Sequence, residues 1–360
     1  MRILIDARVI SDKMHGIARY AHNLIKNIAE LDNRNEYLLL SGNKELMDFS
    51  TRFRNIKFIK CNIPLYSLQE QFAIPSILKR EKVELYHSPT FTAPVHQPCK
   101  TIMTVYDIIH LIFGNSIHKL YYKLIVKKAM MKSACIITVS ENSKKDIVNW
   151  FNIPHEKIYV IYCGVDKRFK PSQDKSSREE LKERYGGIFD RYILFVGNQK
   201  PHKNLGAVIS AFERAVKIWG FKHCLVIAGI KKGFLNGMNN KIIYVDIDND
   251  GDLIRLYQSA DLLLFPSLYE GFGLPALEAM ACGCPVVASN VASLPEVCGD
   301  AAYYVAPDNI ENIAEGMYKV LTDNELRQSL IRKGIERAKL FNWEKSAKEH
   351  LKVFEDVLNS

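Results

Sequence analysis

Short apolar runs rich in Val and Ile alternate along the chain with longer segments of helical periodicity. The segments "RILIDA", "YLLLS", "IKFIK", "ELYHS", "KTIMTVYD" and "CIITVS" read as buried strands, and "IYVIYCGVD" closes the block. The polar stretch "KRFKPSQDKSSREELKERYGGIFDR" follows, a linker leading into a short helix. A second alternation runs through "YILFVG", "CLVIAG", "KIIYVD", "DLLLFPS" and "PVVAS". Strands that are apolar on both faces and separated by helices imply parallel sheets covered on both sides. The pattern therefore predicts an α/β chain of two doubly wound, Rossmann-like domains, 1–166 and 191–342, joined by 167–190. The last segment, "WEKSAKEHLKVFEDVLNS" (343–360), reads as an amphipathic helix with no strand after it, expected to pack back on the first domain. Two such domains in series leave a cleft between the carboxyl ends of their strands, so ligand chemistry is expected in the strand-to-helix turns.

Composition narrows the class. With 360 residues, 48% hydrophobic and 25% charged, the chain suits two ordinary folded domains and not a disordered protein. No apolar run reaches the roughly eighteen residues of a membrane span, and the N-terminus enters a strand pattern without a leader, so a cytoplasmic protein is expected. The eight cysteines are scattered without a CxxC and are expected to be reduced thiols.

The net charge of +9 is uneven: residues 1–166 hold 23 Lys/Arg against 15 Asp/Glu, and residues 167–360 hold 26 against 25. Within the first half, "IHKLYYKLIVKKAMMKSA" (117–134) carries five lysines and no acid, interleaved with apolar residues at helical spacing. A helix lying on an anionic membrane surface fits that pattern, as does the solvated face of an ordinary helix. Nothing in the chain resembles a nucleic-acid-binding module.

Three turns carry candidate chemistry. In "DARVISDKMHGIARY" the chain turns into a helix at Gly16, a helix start suited to phosphate or a simple turn glycine. No GxGxxG is present, which argues against a conventional dinucleotide site. In "FVGNQKPHKNLGAVISAF" a strand ends at Gly197, and Lys200, His202 and Lys203 precede a helix, an arrangement apt for a pyrophosphate or for solvated lysines. In "DLLLFPSLYEGFGLPALEAMA" Glu270 lies on a turn with Gly271 and Gly273, and Glu278 about one turn inside the helix that Pro275 opens. A glycosidase-type pair needs carboxylates about 5–10 Å apart, whereas eight helical steps rise about 12 Å. A shorter turn keeps acid/base chemistry open, but a grip on a hydroxyl-rich, phosphorylated ligand fits better. No third carboxylate or histidine stands close by to complete a metal site.

The stretch "YEGFGLPALEAMACGCPVVAS" resembles the E-x7-E signature of retaining glycosyltransferases of family 4, which have the GT-B fold. "HGIARY", "TVYDIIHL", "ITVSENSKKDI", "YCGVDKRFKP" and "GNQKPHKNL" match in the family's order, so the resemblance covers essentially the whole chain. It is greatest to the branch that builds bacterial surface polysaccharides, including many mannosyltransferases. The resemblance implies that Glu278 holds the ribose hydroxyls of a nucleoside-diphosphate sugar and that Glu270 contacts the transferred sugar. Backbone N–H groups around Phe272, Gly273 and Leu274 would support sugar and phosphates, with Lys203 neutralising the leaving diphosphate. Asn198 stands where many relatives have arginine, so phosphate charge balance would rest on Lys203 and Lys200. Gly16 would face the donor, with Arg19 close by on the acceptor side.

Many relatives place a histidine before the aspartate of the mid-domain motif; this chain has Tyr106, on the acceptor side, before Asp107, which the resemblance implies contacts the acceptor or the donor sugar. His110, one helical turn on, either compensates or is an ordinary loop histidine. The expected reaction is hexosyl transfer, first choice mannose from GDP-mannose, to a saccharide or lipid-linked saccharide, with no cofactor or metal. A sugar-nucleotide epimerase on the same fold and a non-catalytic sugar-nucleotide-binding subunit are the alternatives.

Overall fold

The computed structural model describes residues 1–10, 16–172, 176–185, 190–230, 241–247 and 249–360. The described chain forms two compact units, Met1–Gly164 with Asn342–Ser360, and Val165–Phe341.

The first unit is built on strands β1 (Arg2–Asp6), β2 (Glu36–Ser41), β3 (Ile56–Lys60), β4 (Leu85–Ser88), β5 (Lys100–Thr104), β6 (Cys135–Thr138) and β7 (Ile158–Val160). All pair in parallel, in the order β3-β2-β1-β4-β5-β6-β7. The sheet grows outward from β1 in one direction and then resumes from its other side at β4. The gap between the ends of β1 and β4 is thus a switch point, where ligands bind in open α/β sheets. Helix α1 (Gly16–Leu31) buries Ala18, Ala21, Leu24, Ile25 and Ile28, the one-sided stripe its sequence spacing predicts. The loop before α2 (Glu70–Arg80) brings the glutamate that opens this helix towards the ends of β1 and β4.

The second unit uses β8 (Tyr192–Val196), β9 (Cys224–Ala228), β10 (Ile242–Val245), β11 (Leu262–Phe265), β12 (Val286–Ser289) and β13 (Ala302–Val305). They are parallel in the order β10-β9-β8-β11-β12-β13, so the corresponding switch point lies between β8 and β11. The core on one face joins Ile193, Phe195, Leu225, Ile227, Leu262 and Leu264 of the sheet to Val208, Ala211 and Phe212 of helix α3 (Leu205–Trp219). Helices α4 (Asp250–Ser259) and α5 (Leu274–Ala281) flank the site described below. The stretch read from sequence as a linker is held to this unit. Arg168 reaches Asp250 at 2.8 Å, Gln258 donates to the Lys170 carbonyl, and Arg255 pairs with Glu180 on helix Ser176–Tyr185.

Helix α6 (Trp343–Asn359) belongs to the first unit and packs on α1. Asn342 caps its start by accepting from the Lys345 amide at 2.8 Å, and Trp343, Ala347, His350, Phe354 and Val357 form its buried stripe. Lys100 Nζ donates to the Val357 and Leu358 carbonyls at 2.8 and 3.3 Å, satisfying the negative end of the helix. Tyr20 of α1 donates to His350 Nε2 at 2.6 Å, because the Ser346 carbonyl 2.7 Å from Nδ1 takes that nitrogen's proton. Burial lowers the ring to about 4, so at neutral pH it is uncharged.

Candidate functional site

The switch point of the second unit gathers most of the residues singled out in sequence. Lys203 comes from the turn after β8 and Glu270 from the turn after β11, strands that are direct neighbours. Their side chains meet as an ion pair, Lys203 Nζ to Glu270 Oε1 at 2.7 Å, with both groups largely shielded from solvent. The ammonium also stands 5.3 Å from the centre of the Phe265 ring, which favours the cation further. The ammonium and the carboxylate thus neutralise each other at the mouth of the switch point. A phosphate brought there finds a cation, and a hydroxyl finds an acceptor.

The two turns are locked together by backbone and by two side chains that sequence reasoning passed over. The Leu268 amide donates to the His202 carbonyl at 2.8 Å. Asn204, at φ +59°, ends the short 3-10 turn Pro201–Lys203 and donates through Nδ2 to the carbonyls of Pro266 at 3.0 Å and Pro307 at 2.7 Å. One asparagine thus ties the loops after β8, β11 and β13. Ser293 Oγ lies 2.9 and 3.0 Å from the carbonyls of Glu270 and Phe272, pinning the glutamate turn from below. Asparagine is among the residues most tolerant of a left-handed backbone, which was the available sequence signal. Ser293 offered none, since its partners lie some twenty residues away.

Gly273 is required twice over. Its φ is +104°, and a Cβ there would sit 2.6 Å from Leu294 Cδ2. It leads into α5, whose first positions are Leu274 and Pro275; the first N–H groups of any helix lack intrahelical partners and face outward from its start. Phe272 is buried and edge-on to Phe341, with ring centres 5.7 Å apart. Glu278, inside α5, is also buried, and Oε2 accepts from the Tyr257 hydroxyl of α4 at 3.1 Å. The two glutamates therefore have separate partners, one a cation and one a phenol. Asn198 and Lys200 lie exposed at the strand end, where the Asn198 side chain accepts from the Lys200 amide at 3.1 Å. Among the described residues no group of three or more His, Cys, Asp or Glu is placed to hold a metal ion.

The first unit holds the rest. Tyr20, beside Arg19 near the start of α1, packs edge-on to Tyr106 with centres 5.0 Å apart, so α1 and the end of β5 adjoin. Gly16 is exposed and a Cβ there would meet nothing within 4 Å; residues 11–15 of its turn lie outside the described residues. The Tyr106 hydroxyl donates to the Pro89 carbonyl at 2.8 Å, and Asp107 Oδ1 accepts from the Ile109 amide at 2.9 Å. His110 sits in a ring cluster with Phe91, His118 and Tyr122 at 5.4, 5.6 and 6.0 Å. The switch point itself carries a network the sequence did not announce. Arg8 forks onto Asp6 at 2.6 and 2.8 Å and reaches Glu70 at 3.2 Å, while Tyr86 donates to Asp6 and Thr92 to Glu70. Burial raises the Glu70 carboxyl above its ordinary range, with Thr92 and Arg8 opposing. Beside Arg8 a hollow of about 440 Å³ opens along Ser41, Asn43, Asn62 and Pro64.

Residues 14–169 match the family model described as Glycosyltransferase Family 4, and residues 177–337 the one described as Glycosyl transferases group 1. The O-antigen chain mannosyltransferase B of Escherichia coli is 28% identical over 98% of this chain and 99% of its own length. Among solved structures, a sucrose-phosphate synthase from Thermosynechococcus elongatus aligns with TM-score 0.79 at 18% identity, covering 99% of both chains. Anabaena Alr3699/HepE, solved in complex with UDP-glucose, aligns with TM-score 0.77 at 16% identity over 98% of this chain and 100% of that one.

Proposed function

The chain belongs to the glycosyltransferases of the GT-B fold, its halves those of family 4 and group 1, and from that premise we propose that it moves mannose from GDP-mannose to a saccharide acceptor with retention at the anomeric carbon. The observation that supports the reading is the Lys203–Glu270 pair at the second switch point, with Glu278 set behind it on α5. In this reading Lys203 turns from Glu270 to the diphosphate, freeing the carboxylate to accept from a sugar hydroxyl. Glu278 takes the ribose hydroxyls, and the N–H groups at the start of α5 face the sugar and phosphate. The bond from the anomeric carbon to the phosphate oxygen breaks while the acceptor oxygen bonds on the same face. The leaving phosphate takes the acceptor's proton. Rate enhancement comes from positioning and from charge stabilisation of the leaving group, here by Lys203 with Lys200 and helix N-termini, and no cofactor is asked for. The acceptor is placed on the first unit, with Asp107 as its hydroxyl partner; mannose as the sugar rests on the E. coli relative.

The deciding experiment incubates the protein with GDP-mannose, UDP-glucose, UDP-N-acetylglucosamine and dTDP-rhamnose and measures nucleotide release and product. GDP release from GDP-mannose, with a product α-linked like the donor, is expected. Turnover of another donor alone would overturn the mannose assignment. Interconversion of donors without transfer would make the protein an epimerase, and binding without any turnover a non-catalytic subunit.

A further inference from the structure

The hollow of the first unit is not used by the reaction above. Its volume of about 440 Å³ is that of a small-ligand site, and its walls are the loops that follow β1, β2 and β3. Among the described residues Arg8 alone of the lining is charged, and its guanidinium is already committed. Asp6 accepts from Nε and Nη2 at 2.8 and 2.6 Å, Glu70 from Nη2 at 3.2 Å, and the Ile63 carbonyl from Nη1 at 3.1 Å. One N–H of Nη1 is left over beside Ile63, itself part of the lining. An anion entering here would meet a cation neutralised by Asp6 with Glu70 behind it, so the hollow suits an uncharged ligand.

The other polar walls carry no charge. Asn62 is exposed, and its carboxamide has no hydrogen-bond partner among the described residues. It lies over Gly42, where a Cβ would stand 2.8 Å from Asn62 Oδ1. Asn43 caps helix Lys44–Ser50, its Oδ1 accepting from the Glu45 and Leu46 amides at 2.7 and 3.4 Å, and this leaves its Nδ2 for a ligand. A carboxamide both donates and accepts, which is what a sugar hydroxyl requires of its partner. At the rim Pro64 and Leu65 lead to Tyr66, held at φ +64°, a backbone rare for a bulky residue. The Tyr66 ring is stacked on Phe91, 4.8 Å away and 9° from parallel. Its second face carries no ring among the described residues, and at 42% exposed it can receive the apolar C–H face of a pyranose.

We propose that this hollow is a distal acceptor subsite, holding an uncharged sugar residue two or more units behind the hydroxyl that is glycosylated. The proposal rests on the reading of the chain as a glycosyltransferase whose acceptor meets Asp107. Asp107 follows β5, and the order β2-β1-β4-β5 sets three strand spacings, about 14 Å at about 4.8 Å each, between the ends of β2 and β5. One sugar ring does not span that distance, so a ligand touching both places is an oligosaccharide. Asn62 and Asn43 meet its hydroxyls and Tyr66 stacks on its apolar face. An acceptor gripped this far back is a chain already begun, so the reaction that supplies it is itself a glycosyl transfer.

Isothermal titration of the full chain, with GDP present, against methyl α-mannoside and linear α-linked mannobiose, mannotriose and mannotetraose tests this without turnover. Affinity should rise at least about tenfold from the monosaccharide to the tetraose. Asn62→Ala and Tyr66→Asn should each lower tetraose affinity about tenfold, the loss of one hydrogen-bonding group or one stacked ring. Both should leave methyl mannoside binding and the thermal midpoint unchanged, since Asn62 has no partner to lose and asparagine accepts the left-handed backbone. Affinity that does not grow with length, absence of binding included, would overturn the proposal. So would variants that keep the wild-type length dependence, or mannose 6-phosphate binding more tightly than methyl mannoside and losing that advantage in Asn62→Ala. GDP release from GDP-mannose is scored separately: its absence removes the donor reading, whereas the subsite stands or falls on the titrations.

Discussion

Lys203 and Glu270 illustrate what a residue's neighbours decide. The turn sequences announced a cation near a strand end and a carboxylate near another, but not that the two would touch, because strand order is a tertiary fact. At 2.7 Å the ammonium is already held where a diphosphate is proposed to arrive. Lys203→Ala is expected to lower kcat about a hundredfold, the loss typical of one preorganised charge-stabilising donor; steady-state rates within threefold of wild type would remove the lysine from the reaction. The glutamates separate by their partners. Glu278→Gln should mainly raise KM for the sugar nucleotide, since it changes a contact to the non-reacting ribose, while Glu270→Gln should mainly lower kcat. Measuring both constants for both variants checks the division, and parallel changes would show that the carboxylates act as one group. Tyr257, the partner of Glu278, had no sequence signal of its own: it is one apolar-looking position in the periodic stripe of α4.

At the scale of elements, the apolar runs located twelve of the thirteen strands among the described residues, because most of these strands are buried on both faces and need apolar stretches. β13, "AYYV", escaped because it is a four-residue edge strand whose two tyrosines are only half-buried. The loops were legible as turns, while their fastening was not, as Asn204 shows. Replacing it with Gly removes two hydrogen bonds but keeps the left-handed backbone available; replacing it with Ala removes both. Asn204→Ala should therefore cost about 1 kcal/mol more than Asn204→Gly, read as the difference in thermal midpoint. Equal losses would mean the φ of +59° carries no strain.

The α1–α6 contact adds a pH dependence. An unfolded histidine titrates near 6.5 and the buried His350 ring at about 4. Between those values the unfolded chain holds the extra proton, so stability falls as pH falls through that window, by up to about 3 kcal/mol for this ring. Burial lowers the neighbouring His87 in the same sense, with His350 adding to it. His350→Gln should flatten the decline of the thermal midpoint between pH 6.5 and 4 without abolishing it, and an unchanged slope would contradict the assignment.

For the molecule as a whole, the consequential feature is that the last nineteen residues return to the unit the chain left at Gly164. The apolar stripe of α6 was visible in sequence; its destination was set by Tyr20 and Lys100, which lie far away along the chain. Trp343, Val353, Phe354 and Val357 are buried, and at about 1.5–3 kcal/mol each their removal costs on the order of 10 kcal/mol. That rivals the entire stability of a domain, about 5–15 kcal/mol. The second unit keeps its own core around Phe195, Phe212 and Leu264, to which α6 contributes no side chain. Deleting residues 342–360 should therefore unfold one unit and spare the other. Limited proteolysis with mass spectrometry reads this out: peptides from residues 1–164 should appear early, while a fragment spanning 165–341 persists. Trp219, in the second unit, should keep its native fluorescence through the same digestion. Equal protection of both segments would mean that the first sheet stands without its returning helix, and equal loss would mean that the two cores do not fold independently.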